Sequence, residues 1–245
     1  MNVIQSEFVV GFIINFLLIC LFFKIPLLTK SGWVNAGFLG TMLWGCLSWQ
    51  GWASIVIYLI LGTFVTKIGY VYKSKRGISE KRGGRRGPEN LWGSAATGLF
   101  FAILIKLNLG NIDLLRVAFA SSFSAKLGDT FGSEIGKRYG KNTYLITSFN
   151  KVEKGTEGAI SLEGTLASLL GSVIMAFVIF KLGIVSSNLQ FLVVSISGFM
   201  ATIIESIIGA TVQEKYKLTN ELVNAIQTSI GSVIAIIFFF HFNKI

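Results

Sequence analysis

The segment from Ser121 to Lys141, SSFSAKLGDTFGSEIGKRYGK, sets two carboxylates, Asp129 and Glu134, among Gly128, Gly132, Gly136 and Gly140. Lys137, Arg138 and Lys141 follow. Carboxylates hold divalent cations, side-chain cations hold phosphate, and glycine lets the backbone approach either. The stretch therefore suits the handling of a metal–phosphate complex, with Asp129, Glu134 and Glu205 as catalytic candidates and the first two as Mg²⁺ ligands. Five residues apart, Asp129 and Glu134 would point roughly 140° away from each other on an unbroken helix. They share an ion only if the backbone breaks between them, which Gly132 permits. Otherwise one carboxylate meets the metal and the other a protein cation. A third reading makes the glycines close-packing positions, with Asp129 as a cap.

Two further stretches carry related chemistry. In KVEKGTEGAISLEGT, Lys154, Gly155, Thr156 and Gly158 offer a point charge and backbone N–H groups to an anion. A helix starting near Ser161 aims its positive dipole the same way. In KRGGRRGPEN, Arg85 and Arg86 can grip phosphate bidentately, Pro88 suits a first helical turn, and Asn90 follows. That run reads alternatively as a lipid-contacting loop. Lys126, Gly128 and Lys137 complete the nucleotide-facing set around Asp129. Asn220 and Asn224, four apart on one helix face, either orient Glu205 or a ligand or hydrogen-bond between helices. Glu205 lies inside an apolar segment, where an ionisable side chain is a functional candidate by default. A faint internal repeat sets Phe123 against Phe199, Asp129 against Glu205, Thr130 against Ser206 and Lys141 against Lys217.

The elements that must position these groups are membrane helices. The composition is 52% hydrophobic and 14% charged, with 21 phenylalanines, and long apolar runs recur. The expected fold is an all-α polytopic membrane protein forming one integral domain over residues 1–245. About eight transmembrane helices are placed near 7–23, 32–48, 52–72, 91–107, 114–128, 162–180, 188–209 and 220–241. The fifth is short and polar, and reads either as a spanning helix or as a half-helix or re-entrant segment.

Three basic loops lie before the fourth helix, after the fifth and after the seventh. Lys73, Lys75, Arg76, Lys81 and Arg82 belong to the first; Lys151 and Lys154 to the second; Lys215 and Lys217 to the third. With both termini outside, all three face the cytoplasm, and Lys181 and Lys244 remain on the other side. Most acids, including Glu80, Glu89, Glu153, Glu157, Glu163, Glu214 and Glu221, share the cytoplasmic edge, leaving Glu7 and Asp113 outside. The active face is therefore expected to be cytoplasmic. The net charge of +10 fits loops contacting anionic lipid, and no nucleic-acid partner is expected. Cys20 and Cys46 read as packing residues, and the lone His241 argues against histidine catalysis. The first apolar run reads as a retained helix, not a cleaved signal, in a chain of bacterial, organelle-encoded or processed origin.

In this order, KRGGRRGPENLWGSAATG, SSFSAKLGDTFGSEIGK, YLITSFNKVEKGTEGAISLEGTLA and IESIIGATVQ…LTNELVN resemble the TMEM19-like membrane family, in its phytyl-phosphate kinase branch. That branch is distantly similar to dolichol kinase, phytol kinase and CDP-diacylglycerol synthase. The resemblance implies γ-phosphoryl transfer from CTP or another nucleoside triphosphate to phytyl or another isoprenyl monophosphate. The product would be the diphosphate used to prenylate tocopherol and phylloquinone precursors, made in a cyanobacterial or plastid-type membrane. It also implies Asp129 and Glu134 as the acidic metal–nucleotide motif, and Lys154, Gly155, Thr156 and Gly158 as the second nucleotide motif. Thr130 and Glu205 depart mildly from the pattern, where relatives often show Ser and Asp. Two alternatives stand beside the kinase: a transporter or channel, and cytidylyl transfer onto a lipid phosphate.

Overall fold

The computed structural model describes residues 3–213 and 215–243, so Glu214 and Lys244 lie outside the described residues. Eight helices follow in chain order: α1 Val3–Phe22, α2 Lys30–Lys67, α3 Tyr70–Lys75, α4 Pro88–Lys106, α5 Ile112–Tyr139, α6 Leu162–Lys181, α7 Asn188–Ile208 and α8 Asn220–Phe242. A 3₁₀ turn spans Lys81–Gly84, a π-helical turn spans Gly209–Gln213, and strands β1 (Tyr144–Leu145) and β2 (Ala159–Ile160) pair antiparallel. Among the described residues, four helical stretches are long and apolar enough to cross a membrane: Lys30–Lys67, Leu162–Lys181, Asn188–Gln213 and Asn220–Phe242. Large apolar side chains such as Phe12, Phe38, Phe64, Leu170, Ile237 and Phe240 point outward. Outward apolar residues on so many helices suit a lipid-facing surface.

As a straight rod the 38 residues of α2 would run roughly 57 Å, well beyond the bilayer core. The backbone leaves helical geometry at Leu47 and Ser48, where Ser48 has φ 53°. The two limbs fold back side by side. Trp92 Nε1 donates to Asn35 Oδ1 at 2.9 Å from one limb, and Tyr58 of the other donates to Ser94 Oγ at 3.1 Å. The expected second and third helices are thus a hairpin with no loop. Helix α1 is fastened to its tip by Trp44 Nε1 donating to Glu7 (3.0 Å) and by Trp52 Nε1 donating to Asn15 (3.2 Å). Cys46 is buried, while Cys20 is exposed on α1 and does not serve as core packing.

The fifth helix departs most from expectation. It is one unbroken helix of 28 residues, neither short nor re-entrant, and it forms the axis of the bundle. Helices α4, α6, α7 and α8 and the α2 hairpin all pack on it. Its polarity follows from that position, because its hydroxyls bond neighbouring helices. Ser121 Oγ donates to Gly231 O (2.8 Å), and Ser124 Oγ reaches the carbonyls of Ser172 (3.0 Å) and Val194 (3.1 Å). In return Gln227 Nε2 donates to Ala125 O at 3.1 Å. Such bonds join membrane helices that have no hydrophobic drive between them.

The glycines of α5 do not loosen the backbone. Gly128, Gly132 and Gly136 recur every four residues against α6, where a Cβ on Gly128 would strike Ser172 Oγ and one on Gly132 would strike Ser168 Oγ. This is small-residue helix packing, the third reading of these glycines, and the backbone break that Gly132 permits does not occur. A Gly132→Leu variant is expected to push α6 off α5 and cost about 1–3 kcal/mol, read as a lowered unfolding midpoint in detergent.

Candidate functional site

Where α5 projects past the hairpin, the three connecting loops enclose an open cleft of about 850 Å³. Nearly all the residues singled out above line it: Lys126, Asp129, Glu134 and Lys137 from α5; Arg85 and Arg86 from the first loop and Asn90 from the first turn of α4; Lys154, Gly155, Thr156 and Gly158 from the second loop; and Glu205, Asn220 and Asn224 from α7 and α8. Gly128 does not. It is buried against α6, so its expected ligand-facing role is replaced by packing.

The floor is a polar network under strong burial. Lys126 is 5% exposed, and its ammonium donates to the Asp129 carboxylate and to Asn224 Oδ1 at 2.7 Å. Asn224 therefore orients a cation, not Glu205. Arg86 reaches the same floor from the opposite wall, donating to the Tyr58 hydroxyl at 2.6 Å. That phenol, 1% exposed, donates its own hydrogen bond to Ser94 Oγ. Main-chain bonds hold Arg86 in place: its N–H donates to Leu27 O (3.1 Å) and its carbonyl accepts from Thr29 N (3.0 Å). Two side-chain cations, Lys126 and Arg86, thus line the cleft close to the carboxylates Asp129 and Glu205. That arrangement attracts an anion.

Glu134 takes a different partner. It forms an ion pair with Lys73 of α3, with the two side chains 2% and 0% exposed, and Lys73 also donates to Thr66 O at 3.0 Å. Lys73 is therefore not one of the solvated loop cations. Because α5 is unbroken and Glu134 is engaged by Lys73, Asp129 and Glu134 do not converge on one ion here, and Glu134 has a protein cation as its partner. The alternative, in which one carboxylate meets a protein cation, describes Glu134.

The second acid beside Asp129 is Glu205. Residues Ser121 and Ser197, 76 apart, hydrogen-bond at 2.8 Å, so α5 and α7 run parallel in the register of the internal repeat. The same offset brings Asp129 and Glu205 to one depth, where each lies in the other's field together with Lys126, Glu157 and Lys137. Among the described residues no cation pairs with Glu205. A carboxylate in an apolar helix without such a partner suits cation binding. No group of three or more His, Cys, Asp or Glu closes on one point among the described residues. Two carboxylates with the remaining positions left to phosphate and water fit Mg²⁺, which seldom uses an all-protein cage.

The rim is set by local backbone chemistry. Gly155 (φ 89°) and Gly158 (φ 74°) occupy the left-handed region, and Gly158 lies against Ala210 so closely that a Cβ would overlap it. The loop is thereby docked on the π-helical turn, and Thr156 is held by Glu153 O (2.9 Å from its Oγ1). Ser161 caps α6, accepting from Gly164 N at 3.1 Å, so that the helix N-terminus opens on the cleft. Pro88 is the first residue of α4, while Asn90 is occupied by Gly87 N–H (3.0 Å) and by Glu221 (3.2 Å). Asn220 accepts from Gln213 Nε2 at 2.6 Å. Tyr58 and Lys73 were not anticipated. Tyr58 is a lone hydroxyl in the apolar run IVIYLI, which is a weak signal, and nothing local separates Lys73 from its basic neighbours.

The profile described as "integral membrane protein DUF92" matches residues 13–232. An uncharacterized membrane protein of Synechocystis is 45% identical over 86% of this chain and 82% of its own length. Protein VTE6, chloroplastic, of Arabidopsis thaliana is 44% identical over 86% of this chain and 65% of its own. An uncharacterized membrane protein of Methanocaldococcus jannaschii is 29% identical over 98% of this chain and 99% of its own. No solved structure matches.

Proposed function

Because the chain belongs to the DUF92 family of integral membrane proteins, we propose that its cleft is the active site of an isoprenyl-phosphate kinase, with phytyl monophosphate as acceptor and CTP as donor. The observation that carries this reading is the cleft in which Lys126 holds Asp129 and Arg86 holds Tyr58, lined also by the Gly155–Gly158 loop and the α6 N-terminus. The motif likeness to the phytyl-phosphate kinase branch supports the acceptor, as does relatedness to a chloroplastic and a cyanobacterial protein. On this reading eight helical limbs cross the membrane, the cleft faces the cytoplasm, and the diphosphate feeds tocopherol or phylloquinone synthesis.

The chemistry asks little covalent work of the protein. An oxygen of the acceptor phosphate bonds to the γ-phosphorus, the bond from that phosphorus to the β–γ bridging oxygen breaks, and CDP leaves. The acceptor is already an anionic nucleophile, so no base is required, which agrees with the single histidine lying at the end of α8. Catalysis then rests on alignment and charge neutralisation. Lys126 and Arg86 hold phosphate oxygens, Asn224 and Tyr58 fix those two cations, and Lys154 with its loop steadies the nucleotide phosphates. Asp129 and Glu205 would hold Mg²⁺, which supplies charge neutralisation at the β- and γ-phosphates when bound.

Purified protein in nanodiscs, given Mg²⁺, CTP and phytyl monophosphate, is expected to release CDP and phytyl diphosphate. Release of pyrophosphate would replace the kinase with cytidylyl transfer, and absence of nucleotide turnover would overturn both. The transporter reading drew on the polarity of the fifth helix, on the internal repeat and on Glu205 within an apolar segment; interhelical hydrogen bonds account for the first, and flux in proteoliposomes without nucleotide turnover would favour that reading over the kinase.

A further inference from the structure

On its lipid-facing side the bundle carries an apolar groove of about 320 Å³, whose walls include Ile68 of α2, Phe131 and Ile135 of α5, and Leu166 and Leu170 of α6. None of the groove residues lines the cleft. Helices α2 and α6 both pack on α5, which forms the back of the slot. At its loop end the slot runs into a cation. Phe131, Ile135 and Arg138 share one stripe of α5, and Arg138 lies about 4.5 Å beyond Ile135 along the helix axis. On the other wall Ile68 is followed by Gly69, where a Cβ would strike Cδ of Arg138. The Arg138 stem therefore lies directly across the end of α2. Its guanidinium stacks 4.6 Å from the Tyr72 centroid and 4.8 Å from the Tyr139 centroid, and Arg76 stacks on Tyr72 at 4.6 Å. Stacking uses the planar face and leaves the N–H donors along the edge available. Among the described residues neither arginine forms an ion pair. Neither lines the cleft.

We propose that the groove and the two arginines together bind an anionic phospholipid of the surrounding bilayer. One acyl chain lies in the groove, the phosphate meets the edge of Arg138, and Arg76 adds charge. Any apolar slot on a membrane-facing surface meets lipid chains. What selects here is an oriented guanidinium without a carboxylate partner at the mouth of the slot. It sits at the level where the α2 span ends at Lys67 and the α6 span begins at Leu162, which is headgroup depth. A phosphate accepts two parallel N–H bonds from such an edge. A zwitterionic lipid offers the same phosphate with a cation attached and gains less from the two charges. The phosphate need not reach the cleft, so the site is independent of the kinase reading.

Leu170 is 55% exposed at the groove, so replacing it leaves the core intact. A bimane probe on Leu170→Cys, with the exposed Cys20 changed to Ser, reports occupancy through quenching by nitroxide-chain lipids in nanodiscs. Nitroxide-labelled phosphatidylglycerol is expected to quench about fivefold more strongly than the phosphatidylcholine analogue. A probe on Ile237→Cys, exposed on α8 away from the groove, should be quenched equally by both. Arg138→Gln is expected to abolish the preference and Arg76→Gln to weaken it. Lys215→Gln, which removes a charge from another loop, should leave it intact. Where Arg138→Gln fails to fold, Arg76→Gln decides. Equal quenching by the two headgroups at Leu170→Cys, or a preference that survives both arginine changes, would overturn the proposal. Excess inorganic phosphate is expected to leave the quenching in place. Relief of quenching by phosphate alone would make this a free-phosphate site and overturn the lipid.

Discussion

An Asp129→Asn variant is expected to lose about 10²–10³-fold in kcat while remaining folded. The amide keeps an oxygen for Lys126, and Lys126 keeps Asn224, so the floor of the cleft stays assembled. What is lost is the formal charge that would hold Mg²⁺ beside the β- and γ-phosphates. The loss should therefore come with a raised Mg²⁺ requirement, measured by titrating the metal against nucleotide turnover. Glu205→Gln is expected to behave alike, because Glu205 shares the depth of Asp129 and, among the described residues, forms no ion pair. Glu134→Gln should keep the wild-type Mg²⁺ dependence, because that carboxylate belongs to Lys73. An Asp129→Asn enzyme with wild-type turnover would remove Asp129 from the metal role. A raised Mg²⁺ requirement in Glu134→Gln would return Glu134 to it.

These residues show where sequence reasoning reached and where it stopped. Apolar runs located the helix ends to within a few residues for α6, α7 and α8, because burial in lipid writes itself into a continuous stretch of chain. The cleft was legible as well. Acid, glycine and cation recur in three separate loops, and helices of bilayer length return those loops to one end of the bundle. The division of labour among the acids was not legible. Lys73 and Glu134 are 61 residues apart, and no local pattern says which of many loop cations turns inward. The α5 glycines were ambiguous for a related reason. A glycine that loosens a backbone and one that admits a neighbouring helix look alike until the partner is known, and here the partners, Ser168 and Ser172 of α6, lie beyond the next loop. The polarity of α5 was likewise a tertiary fact, since Ser121 and Ser124 find acceptors on α6, α7 and α8. Even so, the faint repeat gave the correct register for Asp129 and Glu205, because parallel helices in contact preserve an offset in sequence as an equality of depth.

Lys73→Met is expected to destabilise the protein by about 3–5 kcal/mol, the cost of leaving Glu134 charged, buried and alone. The unfolding midpoint in detergent should fall accordingly, and residual turnover at low temperature should keep its Mg²⁺ dependence. Adding Glu134→Leu removes the stranded charge, and an apolar pair of similar volume commonly restores what a buried ion pair contributes. The double variant should therefore recover most of the midpoint. Its activity separates two roles that the single variants confound. Lys73 also ties Thr66 of the hairpin to α5 beside the cleft, so the contact spans the seam between α2 and α5. If the pair only braces that seam, the double variant regains both stability and turnover. If the charge of Glu134 is needed by the nucleotide or its metal, stability returns and turnover does not.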